Sequence, residues 1–261
     1  MTEYDLSDFL SEDQIESITM GEQLEQDDRS RRELVEDCYD SEGRRIFNDM
    51  RSLYTTLQMV NKNYQMLVQK RDEFVNEDAI EWMMRSGEDT QEFFREYLRR
   101  LHNYAASVHT LTHHTYTFFN RYESKAPDLH SKYSAELDKR GLGVKVNLLK
   151  QIRHYTQKNW EPPLAAEISP AMEDGAGDTL ELYLKKEEML EWNGWDPEPR
   201  DFLKELGDEI YITQLAEEYQ NEVNDFYNWL RSLIMSSFYD ELIETITAQL
   251  ILERERSTES T

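Results

Sequence analysis

Apolar residues recur at every third or fourth position in four long segments of the chain, and this spacing predicts four long amphipathic helices. The segments are residues 44–75, 90–122, 144–159 and 211–255. In the first of them the repeating apolar positions are Ile46, Met50, Leu53, Leu57, Val60, Tyr64, Leu67 and Val68. Because most of the connections are short, the pattern indicates a mainly α fold, an up-and-down bundle of four long helices.

The segment between the third and fourth long helices has a different pattern. Residues 164–169 and 179–184 are short, and the second stretch alternates apolar and polar side chains with the period of a strand. The residues between them include Asp174-Gly175-Ala176-Gly177-Asp178, which favours a turn. We therefore expect a small β-hairpin insertion at about 164–184, before the last helix. Short extra helices are expected at 128–139, 189–195 and 198–206.

The first 43 residues are unusually acidic, with 15 Asp and Glu against 3 Arg and a net charge of −12. We interpret residues 1–43 as an acidic, flexible N-terminal tail and residues 44–261 as a single helical-bundle domain. Within the tail, apolar residues recur at roughly helical spacing at Leu6, Phe9, Leu10, Ile15 and Ile18. This pattern fits either a short amphipathic docking segment or a solvated arm with transient helix.

Acidic residues continue along the whole chain, which carries a net charge of −25 over 261 residues. Such an excess repels phosphate backbones, so it argues against general binding of DNA or RNA, and any RNA contact must be local. A content of 38% hydrophobic residues is enough for a core, which argues against a disordered protein. Together with 18 Arg against 11 Lys, the composition favours a folded protein of a halophile, whose carboxylates keep the surface hydrated in high salt.

Cysteine content and hydropathy narrow the class further. Cys38 is the only cysteine, which excludes an intrachain disulfide and a cysteine-based zinc site. No apolar run approaches the length of about 20 residues that spans a membrane, and Met1-Thr2-Glu3-Tyr4-Asp5 lacks the basic start of a signal peptide. We expect a cytoplasmic protein with no membrane contact and no cofactor.

A basic stripe lies on the second predicted helix, because Arg95, Arg99, His102, His109 and His113 fall on one face. Three interpretations compete for it. His109 and His113 have the spacing of a metal-binding pair, although no third ligand stands at a motif spacing. A second interpretation is ordinary polar surface or histidines that pack between helices. The third is an anion or RNA site, where Arg contacts phosphate and His titrates near neutrality.

The third predicted helix contains the most specific motif of the chain. It reads Ile152-Arg153-His154-Tyr155-Thr156-Gln157-Lys158 and is followed by Pro162-Pro163. This resembles the HEPN-like helical domains, in which a helix reading approximately Leu-Arg-Asn-Tyr-x-x-His precedes Leu-Pro within an Arg-x4-6-His nuclease motif. The stretch Leu101-His102-Asn103-Tyr104-Ala105-Ala106-Ser107-Val108-His109-Thr110-Leu111-Thr112-His113-His114-Thr115 is similar to the preceding helix of that family. With Phe226-Tyr227-x-Trp229-Leu230, the resemblance covers roughly residues 90–235.

The resemblance implies a helical bundle that pairs two protomers, with Arg and His facing each other across the dimer. Active relatives cleave RNA without metal, because His moves a proton and Arg stabilises the charge of the phosphorane. Arg153 takes the place of the family's arginine, whereas His154 replaces Asn and Lys158 replaces the catalytic His. An unperturbed lysine holds its proton near pH 7, so a lysine here stabilises phosphate but is a poor general base.

We therefore predict a non-catalytic or weakly catalytic HEPN-like interaction module, self-associating or bound to another protein, in the stress, toxin–antitoxin or defence setting that the family implies. One alternative is a metal-independent ribonuclease with a shifted Arg/His site. Another is an acidic adaptor that docks through its N-terminal tail. The candidate catalytic residues are Arg153, His154, Lys158 and His102. The candidate phosphate or RNA contacts are Arg95, Arg99, His109 and His113.

Overall fold

The computed structural model of the protein describes residues 29–75, 86–158, 163–169 and 179–259. These residues are mainly helical and include a small three-stranded antiparallel sheet. The predicted mainly α fold class is therefore confirmed. The apolar positions of the tail from Leu6 to Ile18 and the hairpin turn at 174–178 lie outside the described residues.

The helices and strands follow the predicted order. The helices are α1 Arg31–Tyr39, α2 Glu42–Val75, α3 Gly87–Tyr122, α4 Asp128–Lys139, α5 Leu142–Lys158, α6 Lys186–Leu190, α7 Pro197–Glu205, α8 Ile212–Ser237 and α9 Tyr239–Glu259. The strands are β1 Leu164–Ser169, β2 Thr179–Lys185 and β3 Glu209–Ile210. The first three predicted long helices correspond to α2, α3 and α5, and they agree within about three residues at their ends.

The chain forms two compact units. The first contains the described residues up to Arg51 together with those from Arg231 onward, and the second is Ser52–Leu230. The sequence analysis expected one domain over 44–261, and the structure divides that range. Helical periodicity shows which face of each helix is buried, but it does not show which helices share a core.

In the second unit α3 contacts the helices that surround it. The hydroxyl of Tyr104 donates to the carbonyl oxygen of Ala216 on α8 at 3.3 Å. Arg100 Nη1 donates to the carbonyl oxygen of Met66 on α2 at 2.8 Å. Since α3 also packs against α5, it positions the side chains of both candidate motifs.

A side-chain cap fixes the start of α3. Ser86 Oγ accepts a hydrogen bond from the backbone N–H of Asp89 at 3.1 Å. Glu88 and Asp89 lie in the first turn, where the partial positive charge of the helix N-terminus favours carboxylates. The helix therefore begins three residues before the predicted segment 90–122.

The predicted hairpin is part of a larger sheet. Strands β1 and β2 pair antiparallel, with Leu164 opposite Leu184 and Ser169 opposite Thr179. Strand β3 then pairs with the other edge of β2, with Ile210 opposite Leu184. The sequence analysis missed β3, because two residues are too few to show the period of a strand.

The predicted fourth long helix, 211–255, is wrong as a single helix. It consists of α8 and α9, which are separated at the buried Phe238. The hydroxyls of Ser236 and Ser237 both donate to the carbonyl oxygen of Leu233, at 2.9 and 2.8 Å. Serine hydroxyls that bond to the preceding turn compete with the backbone and bend helices, which accounts for the break without Gly or Pro.

In the first unit, residues that the sequence analysis assigned to a flexible tail form α1. Ser30 caps this helix, because its hydroxyl accepts from the backbone N–H of Glu33 at 3.4 Å and Glu33 Oε2 accepts from the backbone N–H of Ser30 at 2.7 Å. The two buried side chains of α1, Leu34 and Cys38, pack with α9. With only two buried side chains among nine residues, the helix gives almost no periodic signal.

In the same unit, the start of α2 packs closely against the first two turns of α9. Ser41 Oγ and Thr245 Oγ1 are 2.7 Å apart and form a hydrogen bond. A Cβ atom at Gly43 would overlap the carbonyl oxygen of Glu241, so the helices approach too closely for any side chain there. Glycine at position 43 therefore has a packing role.

Within the described residues, no helix combines the length and the apolar character that crossing a membrane requires.

Candidate functional site

Packing of α3 against α5 brings the two motifs of the sequence analysis together. His102 Nδ1 on α3 lies 3.2 Å from Thr156 Oγ1 on α5. The same hydroxyl donates to the carbonyl oxygen of Arg153 at 3.0 Å. The helices therefore meet by the faces that carry the candidate Arg and His residues, which the sequence could not decide.

Arg153 is the common neighbour of the histidines in this region. Burial lowers the pKa of His102, and the positive charge of Arg153 lowers it further. Burial likewise lowers the pKa of His109, followed by the charges of Arg153 and Lys150. Burial and the same two cations lower the pKa of His154. We name this set the Arg153 cluster: His102, His109, Lys150, Arg153 and His154.

The members of the cluster are half-buried at the edge of the helix pair. They neighbour the fully buried side chains Leu101, Val108, Leu149 and Ile152. Their side chains are thus partly removed from water and partly exposed. Partial desolvation of this kind strengthens the attraction between a fixed cation and a bound anion.

The two cations of the cluster have no acidic partner within the described part of the chain. Among the residues that the structure describes, neither Lys150 nor Arg153 takes part in an ion pair. The neighbouring Lys145 on the same helix pairs with Glu218 at 3.0 Å. The carboxylate of Asp196 raises the pKa of His154, but its effect is smaller than that of each neighbouring cation. The cluster is therefore locally positive in a protein of net charge −25.

Polar bonds to the region of α7 hold α5 in place. Gln151 Nε2 donates to the carboxylate of Asp196, and Asn147 Nδ2 donates to Glu198 Oε2 at 2.6 Å. Both carboxylates accept hydrogen bonds from amides of α5. These contacts fix the orientation of the helix that carries Arg153, and they leave the guanidinium without a carboxylate partner in the described chain.

Lys158, which was expected at the catalytic position, lies outside this arrangement. Its Nζ sits 5.7 Å from the centre of the Trp192 ring, a distance at which a cation is attracted to an aromatic face. Trp192 in turn packs against Tyr155 and Trp195. Lys158 affects the pKa of His154 less than Arg153 and Lys150 do. The structure thus gives it an aromatic partner, whereas Arg153 remains with the histidines.

The arginines at the start of the basic stripe lie beside acids of their own helix, and Arg99 is paired more closely than Arg95. Arg99 Nε and Nη2 both donate to Glu96, each at 2.7 Å. Arg95 lies 3.4 Å from Glu92. The bonds from Arg99 and Arg100 lower the pKa of Glu96 to about 2, so its carboxylate stays charged at any working pH. The expectation that Arg95 and Arg99 offer phosphate contacts therefore meets competition from these acids.

The far end of the stripe has a different environment. His113 is exposed, and its ring centre lies 6.4 Å from that of His114. No group of three or more His, Cys, Asp or Glu side chains in the described part of the chain is arranged to hold a metal ion. His109 adds its ring to the Arg153 cluster, where it faces cations.

Sequence reasoning missed two residues of the site, Lys150 and Thr156. Lys150 precedes Arg153 by three positions and so shares its face of the helix, a spacing that could have identified it. Thr156 gave no signal, because a single hydroxyl in a helix is usually satisfied by its own backbone. Its contact with His102 becomes visible only when both helices are placed together.

No protein-family model, no curated protein sequence and no solved structure matches this chain.

Proposed function

We propose that the Arg153 cluster binds a phosphodiester group of RNA and that the protein is a HEPN-like helical module with weak or no catalytic activity. The observation that carries the proposal is the placement of Lys150 and Arg153 beside three histidines, without an acidic partner in the described chain. Guanidinium and ammonium groups bind phosphate oxygens through charge-assisted hydrogen bonds. A neutral imidazole adds a donor and an acceptor.

Charge restricts the ligand to a short single-stranded segment. The acidic surface repels a long duplex, whose phosphates would extend beyond the cluster. Two cations neutralise few phosphates, so the affinity should fall only weakly with salt, with a slope of about −1 to −2 on a log–log plot. A steep slope would indicate a larger interface than this one.

The direct test is binding of a labelled single-stranded RNA to the full-length chain, measured by fluorescence anisotropy. Arg153→Ala should weaken binding by about tenfold, because a partly desolvated charge-assisted contact is lost. Arg99→Ala is the matched control, since it removes an arginine that Glu96 already neutralises, and it should change the affinity by less than about twofold. Equal effects of the two variants would contradict the proposal. Thermal melts followed by circular dichroism check that both variants fold.

A second candidate, metal-independent cleavage of RNA at a shifted Arg/His site, is favoured by the approach of both His102 and His109 to Arg153. Their lowered pKa values keep the imidazoles neutral at pH 7, as a general base requires. A neutral imidazole takes the proton of the 2′-hydroxyl, and that oxygen then bonds to phosphorus. The 5′-oxygen of the next nucleotide leaves and takes the proton back from the imidazolium formed in the first step, while Arg153 stabilises the charge on phosphorus. The products are a cyclic phosphate and a 5′-hydroxyl.

This second candidate is tested by incubating RNA with the protein and EDTA in concentrated KCl and analysing the product ends. Cleavage to cyclic phosphate ends that disappears in Arg153→Ala and His102→Ala would support it. Lys158→His restores the family's residue at the other end of the motif. Activity that appears only in Lys158→His would show that the shifted site is inactive and that binding alone remains.

The proposal also covers self-association, adaptation to high salt and the adaptor alternative. The resemblance to HEPN-like domains supports self-association or a protein partner, and the apolar periodicity of the long segments supports an up-and-down arrangement of the bundle. The composition supports adaptation to high salt. Light scattering of the purified chain in concentrated KCl tests the self-association. Deletion of residues 1–28, followed by capture of a basic partner, tests the adaptor alternative.

A further inference from the structure

A single threonine hydroxyl connects His102 to the backbone of Arg153. Thr156 Oγ1 lies 3.0 Å from the carbonyl oxygen of Arg153 and 3.2 Å from His102 Nδ1. A hydroxyl has one proton to donate and lone pairs to accept with. The carbonyl oxygen can only accept. Both contacts are hydrogen bonds at the same time only if Thr156 donates to the carbonyl and His102 donates from Nδ1.

The opposite arrangement makes fewer bonds. If Thr156 donated its proton to His102 Nδ1, no proton would remain for the bond to the carbonyl oxygen of Arg153. That bond is the shorter of the two contacts. The helix pair is partly buried at this point, so a lost bond between polar groups is costly. The arrangement with two bonds places the proton of the neutral imidazole on Nδ1 and the lone pair on Nε2.

We propose that Thr156 is a positioning residue, which holds neutral His102 in the Nδ1–H tautomer and so offers the lone pair of Nε2 to the ligand of the Arg153 cluster. The identity of that ligand as an RNA phosphodiester rests on the proposed function, whereas the tautomer does not. The bond of Thr156 ends on the backbone of Arg153. One side chain therefore fixes both the imidazole and the helical turn that carries the guanidinium.

The protonation state makes the tautomer relevant near neutral pH. Burial and the charge of Arg153, which faces His102 from α5, lower its pKa. The imidazole is therefore mostly neutral at pH 7, and only a neutral imidazole has a tautomer to select. A base requires the lone pair on the nitrogen that reaches the substrate. Without Thr156 the lone pair could lie on Nδ1, facing the helix.

The same chain contains a matched control at a distance from the cluster. Thr56 Oγ1 on α2 donates to the carbonyl oxygen of Ser52 at 2.8 Å and lies 2.9 Å from His114 Nδ1 on α3. The same count of protons assigns the Nδ1–H tautomer to His114. His114 is exposed and is not a member of the Arg153 cluster. Thr56→Val thus removes an equivalent bond without touching the cluster.

The experiment is a long-range ¹H–¹⁵N correlation spectrum of the full-length chain with ¹⁵N-labelled histidine, recorded at about pH 8, above the ordinary pKa of an imidazole. His102 in the wild type should show a protonated Nδ1 and an unprotonated Nε2. Thr156→Val, which keeps the shape and removes the hydroxyl, should abolish this preference, and Thr156→Ser should restore it. Thr56→Val should change His114 alone. A wild-type His102 with its proton on Nε2 would overturn the inference, as would an unchanged tautomer in Thr156→Val.

RNA binding and cleavage by the same variants separate this inference from the proposed function. If the protein cleaves RNA, Thr156→Val should lower the rate constant by about tenfold or more with little change in KM, and Thr156→Ser should recover it. A rate unchanged by Thr156→Val would overturn the positioning role. If Arg153→Ala and the wild type bind RNA equally, the proposed function fails while the spectrum still decides the tautomer. Should Thr156→Val not fold, Thr156→Ala and Thr156→Ser give the same comparison.

Discussion

The basic stripe on α3 carries arginines at its first end and histidines at its second end, on the same helix face, and the two ends also differ in what surrounds them. At the first end Glu96 binds Arg99 and Arg100, each at 2.7 Å. At the second end His102 and His109 lie beside Arg153, which has no ion-pair partner among the described residues. The difference lies in the acids within one turn, which pair with the arginines of the first end and not with Arg153 in the described part of the chain.

The largest expected effect comes from converting the second end into a copy of the first. Lys150→Glu places a carboxylate three residues before Arg153, the same spacing that joins Glu96 to Arg99. We expect the affinity for single-stranded RNA to fall by about tenfold or more, because the new acid competes for the guanidinium and repels phosphate. Fluorescence anisotropy measures this affinity. Arg95→Glu is the control, because it changes the net charge by the same amount. An equal loss of affinity in Arg95→Glu would show that net charge alone causes the effect.

A smaller and opposite effect is expected from converting the first end into the second. Glu96→Gln removes the carboxylate that binds Arg99 and Arg100 but keeps a side chain of similar shape. RNA affinity should rise by about twofold to threefold, and the salt dependence should become steeper by about one charge. Glu92→Gln is the control, since Arg95 is exposed and only loosely paired at 3.4 Å. An unchanged RNA affinity in Glu96→Gln would mean that the two ends of the stripe do not bind the same ligand.

The influence of Arg153 on the histidines can be measured without RNA. NMR titration should show pKa values of His102, His109 and His154 below the ordinary value for histidine, because burial and Arg153 disfavour the charged imidazole. In Arg153→Gln the pKa values of all three histidines should rise. They should stay below the ordinary value, because the histidines remain partly buried. Arg99→Gln should leave them unchanged. Histidines that titrate identically in Arg153→Gln and the wild type would show that the cluster is not electrostatically coupled.

The sequence predicted the faces of these helices well. The positions of His102 and His109 on one side of α3 follow from spacing alone. The chain also shows where such reasoning stops. The break at Phe238 arises from two serine hydroxyls that bond to one carbonyl, and apolar periodicity does not register this competition.

The residues of the candidate site were predictable from the sequence, but their arrangement was not. Arg153, His102 and His154 were identified from a motif and its resemblance, whereas their proximity depends on how α3 and α5 pack. Pairing of Arg99 with Glu96 was visible as an i,i+3 spacing, yet the sequence contains many such acidic neighbours. Only the structure shows that the acids near α5 are turned toward Gln151 and Asn147 rather than toward Arg153.

The smallest expected effect is on stability, and it follows from the sign of the histidine shifts. Because the folded state lowers the pKa of His102, His109 and His154, the unfolded chain takes up protons first as the pH falls below about 6.5. The stabilisation from neutral histidines is therefore present above that pH and is lost as the pH falls through their folded pKa values. Protonation of surface carboxylates reduces repulsion at the same time, so the melting temperature of one protein alone is ambiguous.

The informative quantity is the difference between variants. Between about pH 7.5 and 5.5, the Tm of Arg153→Gln should fall less than that of the wild type, by a few degrees at most for a chain of this size. Arg99→Gln removes the same charge and should follow the wild type, since Glu96 rather than a histidine faces it. A parallel course of all three curves would show that Arg153 does not disfavour protonation of its neighbours, and the contrast between the two ends of α3 would then lose its electrostatic basis.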